Sequence, residues 1–476
     1  MTEGKKNLLS VAKVVFSNFT LLGAGVVTSF LLPRLLSMEG YGLYKVFNLY
    51  STYIIILQFG IIEWLYMKYG GKKLEDVNKK EFSGFFKTLF VIQLAVSLLL
   101  VVASCVFSDG DVRFIAVALS VNIVVLNMTN LFQYLSQAVQ RFTELSTRNV
   151  AKAILTVCCV VAIYVSANSL PALANYKLYI YITIAINFVL LLWYIFTYRK
   201  LFVFAKAITL KETWNMVKQG FPLCLSNIIS TLLLSVDRQV VSMFFPTTDY
   251  AIYSYAYSLL MLISTVVSSV SLVVFSMFKK QDEERLIANY SINIKRVSIL
   301  LASAATVYFP LCWFVDLVLP NYVESLTILR IVIPGLLFSA PVTVVMHNYY
   351  KTLNLNTKFF KISVIMLAVA FVSGIVVTFV TDSMKAVSCF SVVLMFAWYI
   401  CTELSLKKRY KISSDKNILY LIIAVLAFYI ISICKVWYLG MIIYIGAFLI
   451  ITGCFYSKNI KNGEIINIKI FGDKNG

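Results

Sequence analysis

The sequence predicts an all-α polytopic membrane protein with about 14 transmembrane helices. Three observations carry this. Of 476 residues, 60% are hydrophobic and 13% charged, with mean hydropathy +0.84, whereas soluble domains carry about 25% charged residues. Apolar runs of about 20 residues, the length that crosses the hydrocarbon core, recur along the chain. Basic residues are concentrated in alternate loops.

The spans are expected, in order, at 9–33, 44–67, 88–107, 112–139, 150–168, 177–197, 221–245, 250–277, 297–319, 323–346, 360–381, 384–406, 418–434 and 438–457. The first follows "MTEGKKNLLSVAKVVF", Lys before an apolar run, as in a signal peptide. The run is too long and no small-residue cleavage site follows, so it reads as an uncleaved span. "SMEGYGLY" turns the chain into the second span. "SDGD", "TDS" and "KVWYLG" close later pairs, and the larger outer segments, "ANSLPALANYK" and "LPNYVES", are too short for a folded domain. Residues 198–219 mix aromatics with Lys and are expected to lie partly along the membrane surface as an amphipathic helix. Pro310, Pro334 and Pro341 interrupt spans nine and ten, each removing a donor and crowding the preceding turn.

The net charge is +20. With the N-terminus inside, about 34 of the 42 Lys and Arg fall on the inner side, which places both termini in the cytoplasm by the positive-inside rule. The basic balance is thus topology and contact with anionic lipid heads, not nucleic-acid binding. Nine Cys are scattered without a C-x-x-C, and there is one His, His347. No metal site is assembled by spacing, no cofactor is indicated, and no glycine loop with Lys and Ser/Thr cradles phosphate. No enzyme constellation appears, and His347 reads as structural.

An internal echo divides the chain. Glu39-Gly40-Tyr41-Gly42-Leu43-Tyr44 matches Thr248-Asp249-Tyr250-Ala251-Ile252-Tyr253, each joining the first two spans of its half. Six spans precede the second copy's half, an even number, so the halves share orientation as a parallel repeat. The expected division is a first bundle over 1–200, a linker over 201–219, a second bundle over 220–410, and two further helices with a tail over 411–476. The hexamer reads as an outer hairpin, with glycine reversing the chain, Glu39 or Asp249 capping the next helix, and Tyr at the wet boundary.

Charges inside a membrane are costly and face partners or cavities. Arg34, Asp237, Arg238 and Arg330 are the candidates, with Glu63 and Glu403 nearer the inner face. Glu403 reads as an i, i+4 pair with Lys407. Two readings stand for Glu63, snorkelling near Lys68 or facing a lumen, and two for Arg34, snorkelling or binding. Asp237 and Arg238, adjacent, point about 100° apart and need separate partners. Arg330 either pairs with Asp237 or stands in a cavity. Asn227, Thr231, Arg238 and Ser242 share one face of a straight helix, as do Asn130, Gln133, Gln137, Gln140 and Glu144. Such stripes line water or glue helices by hydrogen bonds. Tyr250, Ser254, Tyr257, Ser264, Ser268 and Ser271 form a broad face of span eight, for polar lining or for close packing.

"FLLPRLLSMEGYGLY" resembles the first-span signature of polysaccharide flippases in the multidrug/oligosaccharidyl-lipid/polysaccharide exporter superfamily. "GFPLCLSNIISTLLLSVDRQVVSMFFPTTDYAIYSYA" is similar to the family's seventh span, with its Gly-x-Pro opening, Asp-Arg pair and Tyr-containing turn. The resemblance implies two pseudo-symmetric six-helix bundles around a central cleft, plus two extra C-terminal helices. It implies alternating access in the cytoplasmic membrane. An undecaprenyl-diphosphate-linked oligosaccharide would be moved outward during O-antigen, capsule or exopolysaccharide assembly, beside a glycan polymerase and chain-length machinery. On this reading Arg238, Arg330 and Arg34 attract the diphosphate. Asn130, Gln133, Gln137, Asn227 and Thr231 meet sugar hydroxyls, and Glu63 or Asp237 carries a coupling proton or balances charge. The alternatives are a lipid II flippase or a drug/cation antiporter of the same superfamily. A cation exporter favours an acidic cavity, whereas the excess here is basic. A membrane glycan polymerase or ligase needs larger outer loops, and a scaffold needs no buried charge.

Overall fold

A computed structural model describes residues 3–167, 169–278, 283–412 and 416–461, and these are helical almost throughout. Contacts divide the chain into two compact units, Met1–Ser254 and Tyr255–Gly476. The first holds α1 (Glu3–Leu35), α2 (Met38–Tyr53), α3 (Ile61–Tyr69), α4 (Lys79–Phe107), α5 (Gly110–Ala138), α6 (Phe142–Ala167), α7 (Tyr176–Thr197), α8 (Leu210–Leu233) and α9 (Val236–Phe244). α10 (Thr247–Phe278) begins in the first unit. The second holds α11 (Glu283–Ala288), α12 (Tyr290–Ala304), α13 (Tyr308–Val318), α14 (Glu324–Pro341), α15 (His347–Thr352), α16 (Asn356–Thr381), α17 (Met384–Tyr410), α18 (Asn417–Ile431) and α19 (Trp437–Lys461).

Among the described residues, ten helices are long and apolar enough to cross a membrane, or twelve if two bent pairs each count as one. α18 is apolar but shorter, at 15 residues. The expected count of fourteen is therefore not reached by this measure. The side chains of Ser268 and Ser271, and the tail over 462–476, lie outside the described residues.

Local sequence explains where helices begin. The Asn78 side chain accepts the amides of Lys80 and Glu81 at the start of α4, and Asn175 accepts Lys177 N at the start of α7. Thr209 and Glu212 form a reciprocal capping box on α8.

The first unit packs α1 along α6, and α5 against α2, α3, α4 and α7. Its core is aromatic. Phe132 stacks between Tyr194 and Tyr198, each ring centroid 5.7 Å away, and the Tyr198 hydroxyl shares a hydrogen bond of 2.7 Å with Ser136. At the end with the basic loops, Arg148 is buried to 2% exposure. It pairs with Glu144 at 2.6 Å, donates to Thr197 Oγ1 at 2.5 Å, and lies 4.1 Å over the Tyr194 ring. Removing Arg148 takes the nearer cation from Glu144, which keeps Arg141 at 3.2 Å, and strands the buried Thr197 contact. Arg148→Met is expected to cost about 3 kcal/mol, read as a lowered thermal midpoint in detergent; an unchanged midpoint would contradict this.

Residues 202–209 do not form the expected surface helix. They run without helical structure along the start of α4. The Ser83 hydroxyl donates to Leu201 O at 3.0 Å and accepts Val203 N at 2.9 Å, and Thr88 Oγ1 accepts Ile208 N at 2.8 Å. Gly84 permits the approach, since a Cβ there would sit 2.8 Å from Lys206 O. Of the segment's aromatics, Phe202 is packed edge-on to Phe86 at 4.9 Å, Phe204 and Trp214 stay exposed, and residues 210–219 are the opening turns of α8. Ser83→Ala removes two of these bonds, at about 1 kcal/mol each. It should speed amide hydrogen exchange across 202–208 by roughly tenfold or more, and unchanged protection would refute the strap.

The hexamer also differs from its reading as an outer hairpin. The turn is confined to Leu36–Ser37, and the Ser37 side chain, not that of Glu39, caps α2 by accepting Gly40 N at 3.1 Å. Gly40 and Gly42 are helical, so they reverse nothing. Gly42 is instead a contact point: a Cβ there would lie 2.3 Å from Thr247 O. The two echoed segments touch, and the Tyr250 hydroxyl donates to Lys45 O at 3.5 Å. Tyr41 and Tyr250 are buried, not wet.

In the second unit, α14 carries Pro334 and Pro341 and ends in a wider π-helical turn, Val342–Met346, which re-forms bonds that proline disrupts. His347 stacks on Phe359 at 4.3 Å. Glu403 pairs with Lys407 at 2.9 Å, as expected from spacing. α18 and α19 pack on α12, α13 and α14. Asn417 donates to Tyr399 and accepts from Tyr456 at 2.7 Å, and Tyr444 donates to Ala302 O at 2.8 Å.

Candidate functional site

Two broken helices of the first unit meet in a polar seam. α2 ends in a short tight turn over Ile54–Gln58, and Phe59 and Gly60 follow with left-handed φ of 55° and 76°. α3 then departs at 63°. α8 ends at Leu233, and α9 departs at 62°. A break frees backbone carbonyls, which need partners when buried. α4 and α5 supply them: Gln93 Nε2 donates to Leu57 O at 3.0 Å, and Asn127 Nδ2 donates to Ile54 O at 3.2 Å and to Gln93 Oε1 at 2.7 Å.

The two broken helices cross on glycine. A Cβ on Gly220 would stand 1.9 Å from Gly60 O, and one on Gly60 would stand 2.1 Å from Phe221 N. Just beyond, Gln58 Nε2 donates to Glu63 Oε2 at 2.6 Å, while Gln58 Oε1 accepts Ile62 N at 2.8 Å. Glu63 is 1% exposed, in the first turn of α3, where the helix dipole favours a carboxylate. Its Oε1 accepts no hydrogen bond among the described residues. The snorkelling expected for Glu63 is excluded, since Lys68 pairs with Glu81. Cys224 on α8 lies against the same group, 3.7 Å from Gln58 Nε2.

Farther along, Ser235 sits at the second break. Its hydroxyl donates to Thr231 O at 2.8 Å and meets Tyr53 OH at 2.9 Å. Gln239 Nε2 donates to Tyr50 OH at 2.6 Å. Asp237, 3% exposed, accepts Arg238 N on Oδ1 at 2.7 Å and the Tyr253 hydroxyl on Oδ2 at 2.8 Å. Arg238 is half-buried and acts electrostatically on Lys45, Tyr53 and Tyr250.

The remaining expected residues fall as follows. Asn227 and Thr231 are exposed on α8; the bend between α8 and α9 separates them from Arg238 and Ser242, so the single face drawn for a straight helix is split. Asn130, Gln133 and Gln137 are half-buried on α5. Asn130 and Gln137 flank Tyr134, which acts electrostatically on the Glu63 and Cys224 group. Arg34 is exposed at the end of α1, in an open depression of about 290 Å³ with Leu35, Tyr164 and Ala167. Arg330, in the second unit, is half-buried near Tyr308 and Cys312 of α13 and Tyr429 of α18, whose hydroxyl donates to Ile331 O at 2.9 Å. Among the described residues, no group of three His, Cys, Asp or Glu could hold a metal ion. Gln58, Gln93 and Asn127 were not legible as residues of this seam. Isolated amides within apolar spans were the available signal.

The described residues, helical almost throughout and with two broken membrane-length helices, have the fold of solved membrane transporters. Three of the solved structures with this fold serve for comparison. The lipid II flippase MurJ in an inward closed conformation has a TM-score of 0.71 at 16% identity, over 95% of this chain and 100% of that one. An inward-facing multidrug resistance MATE transporter has 0.61 at 12%, over 85% and 98%. A superfamily transporter from Pyrococcus furiosus, described as having a binding pocket of reversed polarity, has 0.55 at 10%, over 84% and 95%. No curated protein matches. Residues 10–281 match the family described as polysaccharide biosynthesis protein, and the chain belongs to that family.

Proposed function

We propose that the protein flips an undecaprenyl-diphosphate-linked oligosaccharide across the cytoplasmic membrane by alternating access, for O-antigen, capsule or exopolysaccharide assembly. The observation that carries this is Arg238: a half-buried guanidinium in a membrane span, at the start of a broken helix lined by tyrosine and amide side chains. Arginine holds phosphate oxygens by paired hydrogen bonds. Arg34 and Arg330 are assigned to the same anionic group at other stages of transit. Asn130, Gln133, Gln137, Asn227 and Thr231 meet sugar hydroxyls. Glu63 carries a coupling proton, and Asp237 balances Arg238. The halves are 1–200 and 220–410, joined by 201–219 and followed by 411–476, with both termini cytoplasmic. The protein has no catalytic role of its own and works beside a glycan polymerase and its chain-length machinery. The second reading is lipid II, which shares the diphosphate and differs in its head group.

The test is reconstitution in vesicles with a labelled lipid-linked oligosaccharide and, in parallel, lipid II. Leaflet exchange above empty vesicles is expected for the first substrate. No exchange of the first under a proton or a sodium gradient overturns the proposal, and exchange of lipid II alone selects the second reading.

A further inference from the structure

On the side of the basic loops, a cavity of about 260 Å³ opens between α3, α4 and α8. Trp64 and Lys68 of α3, Glu81 of α4, and Glu212 and Gln219 of α8 line it. Two carboxylates thus face one ammonium, in a chain whose net charge is +20. A recess with an acidic excess concentrates small cations. Glu81 is engaged by Lys68 and accepts the Tyr69 hydroxyl at 3.2 Å, whereas Glu212 is exposed and caps α8.

Trp64, on the cavity wall, and Glu63 are neighbours on α3 and point about 100° apart. Glu63 is buried in the seam, where its Oε1 accepts no hydrogen bond among the described residues. α8 packs against the same turn on backbone. A Cβ on Gly220, next to the lining residue Gln219, would lie 1.9 Å from Gly60 O and 3.2 Å from Trp64 N. That crossing parts only if a helix moves, whereas the Trp64 ring can rotate into the cavity. Phe85 of α4 stacks on the ring with centroids 6.2 Å apart, and the Lys68 ammonium, 4.8 Å from its centroid, is a cover on a flexible stem.

The titratable groups facing Glu63 are the Cys224 thiol from α8 and the Tyr134 hydroxyl from α5. On the α4 side, Glu81 is held by Lys68 and Tyr69. α2 presents the neutral Gln58, turned to donate to Glu63 Oε2 because its own Oε1 accepts Ile62 N. Oε1 of Glu63 is the atom left to take a proton.

We infer that the cavity between α3, α4 and α8 is the entry by which protons reach Glu63 from the side of the basic loops, with the Trp64 ring as its gate. When the ring rotates into the cavity, a hydronium ion gives its proton to Glu63 Oε1 and is left as water. When the ring returns, the protonated carboxyl is sealed in the seam. Glu212 raises the proton concentration in the cavity without touching Glu63. The inference rests on the reading of Glu63 as carrier of a coupling proton only for the use made of that proton, and the route is tested apart from transport.

Full-length protein is reconstituted in vesicles in one orientation. Protonation of Glu63 is followed by its infrared carboxylic-acid band, assigned by its loss in Glu63→Gln. In the unmutated protein, acid added on the basic-loop side should raise the band about tenfold faster than acid added on the opposite side. The same rate from both sides, or the reverse order, overturns the inference. Trp64→Ala should speed the basic-side rate by about tenfold, and Trp64→Phe, which keeps a smaller ring, by less. No change in Trp64→Phe and in any Trp64→Ala that folds removes the gate. Glu212→Gln retains a side chain able to form the capping box. It should slow the rate about twofold at low salt and not at high salt, and a rate unaffected at low salt removes the acidic lining from the route. Wild-type leaflet exchange by Glu63→Gln, with sided protonation intact in the unmutated protein, would leave the route standing and remove the coupling reading. Lost exchange in Glu63→Gln with unsided protonation would do the opposite.

Discussion

Gly220→Ala is expected to yield little folded protein. The added methyl group would stand 1.9 Å from the carbonyl oxygen of Gly60. Overpacking against side chains costs about 1–3 kcal/mol because side chains can rotate away. Here the obstacle is backbone, in a segment fixed by Gln93, Asn127 and Gln58, so the cost lies at or above that range. Gly60→Ala meets Phe221 N at 2.1 Å and must also hold φ at +76°, adding about 1–2 kcal/mol for a left-handed residue with a side chain. Gly23→Ala is the control: nothing lies within 4 Å of its Cβ, and it is helical, so alanine should be neutral or stabilising by up to about 1 kcal/mol. The measurement is monodisperse yield and thermal midpoint in one detergent. If Gly220→Ala matched Gly23→Ala, the crossing of α3 and α8 would not be as close as described.

Arg238→Ala should slow leaflet exchange by about 10–100-fold, since a lost hydrogen bond to a charged group is worth about 1.5–3 kcal/mol. The folded yield should stay near wild type. The side chain is half-buried, and Asp237 keeps its bonds from Tyr253 and from the Arg238 backbone amide. Arg238→Lys keeps the charge and loses the fork, so an intermediate rate is expected. Asp237→Asn separates charge from structure. The amide retains an oxygen able to accept one of the bonds from Tyr253 and Arg238 N, but the charge balance is lost. Wild-type exchange by Arg238→Ala, at equal protein in the vesicles, would remove Arg238 from the transport path.

Particular residues show where sequence reasoning reached and where it stopped. Asp237 and Arg238 were legible because a charge in an apolar run has few bland explanations. Gln93 and Asn127 were not, since single amides in apolar spans are commonplace until their partners at the break of α2 are seen. The echo between residues 39–44 and 248–253 marked two corresponding places, but its meaning as a turn was wrong in detail. Gly42 of the first copy faces the backbone of Thr247, the residue just before the second copy, across more than two hundred residues. Glu63 could be read as snorkelling because Lys68 is near in sequence. Lys68 is in fact engaged by Glu81, and Gln58 turns Glu63 inward.

The sequence by itself determined the solvent of this protein, its helical class, the sidedness expected of its loops and the family resemblance. These follow from properties that add up along the chain: apolar run length, loop charge and local motif. Only tertiary packing sets where helices break, which glycines are points of contact, and which polar side chains meet across the breaks. Those depend on residues far apart in the chain, such as Gly60 with Gly220 and Tyr53 with Ser235, and no local pattern encodes a distance between them.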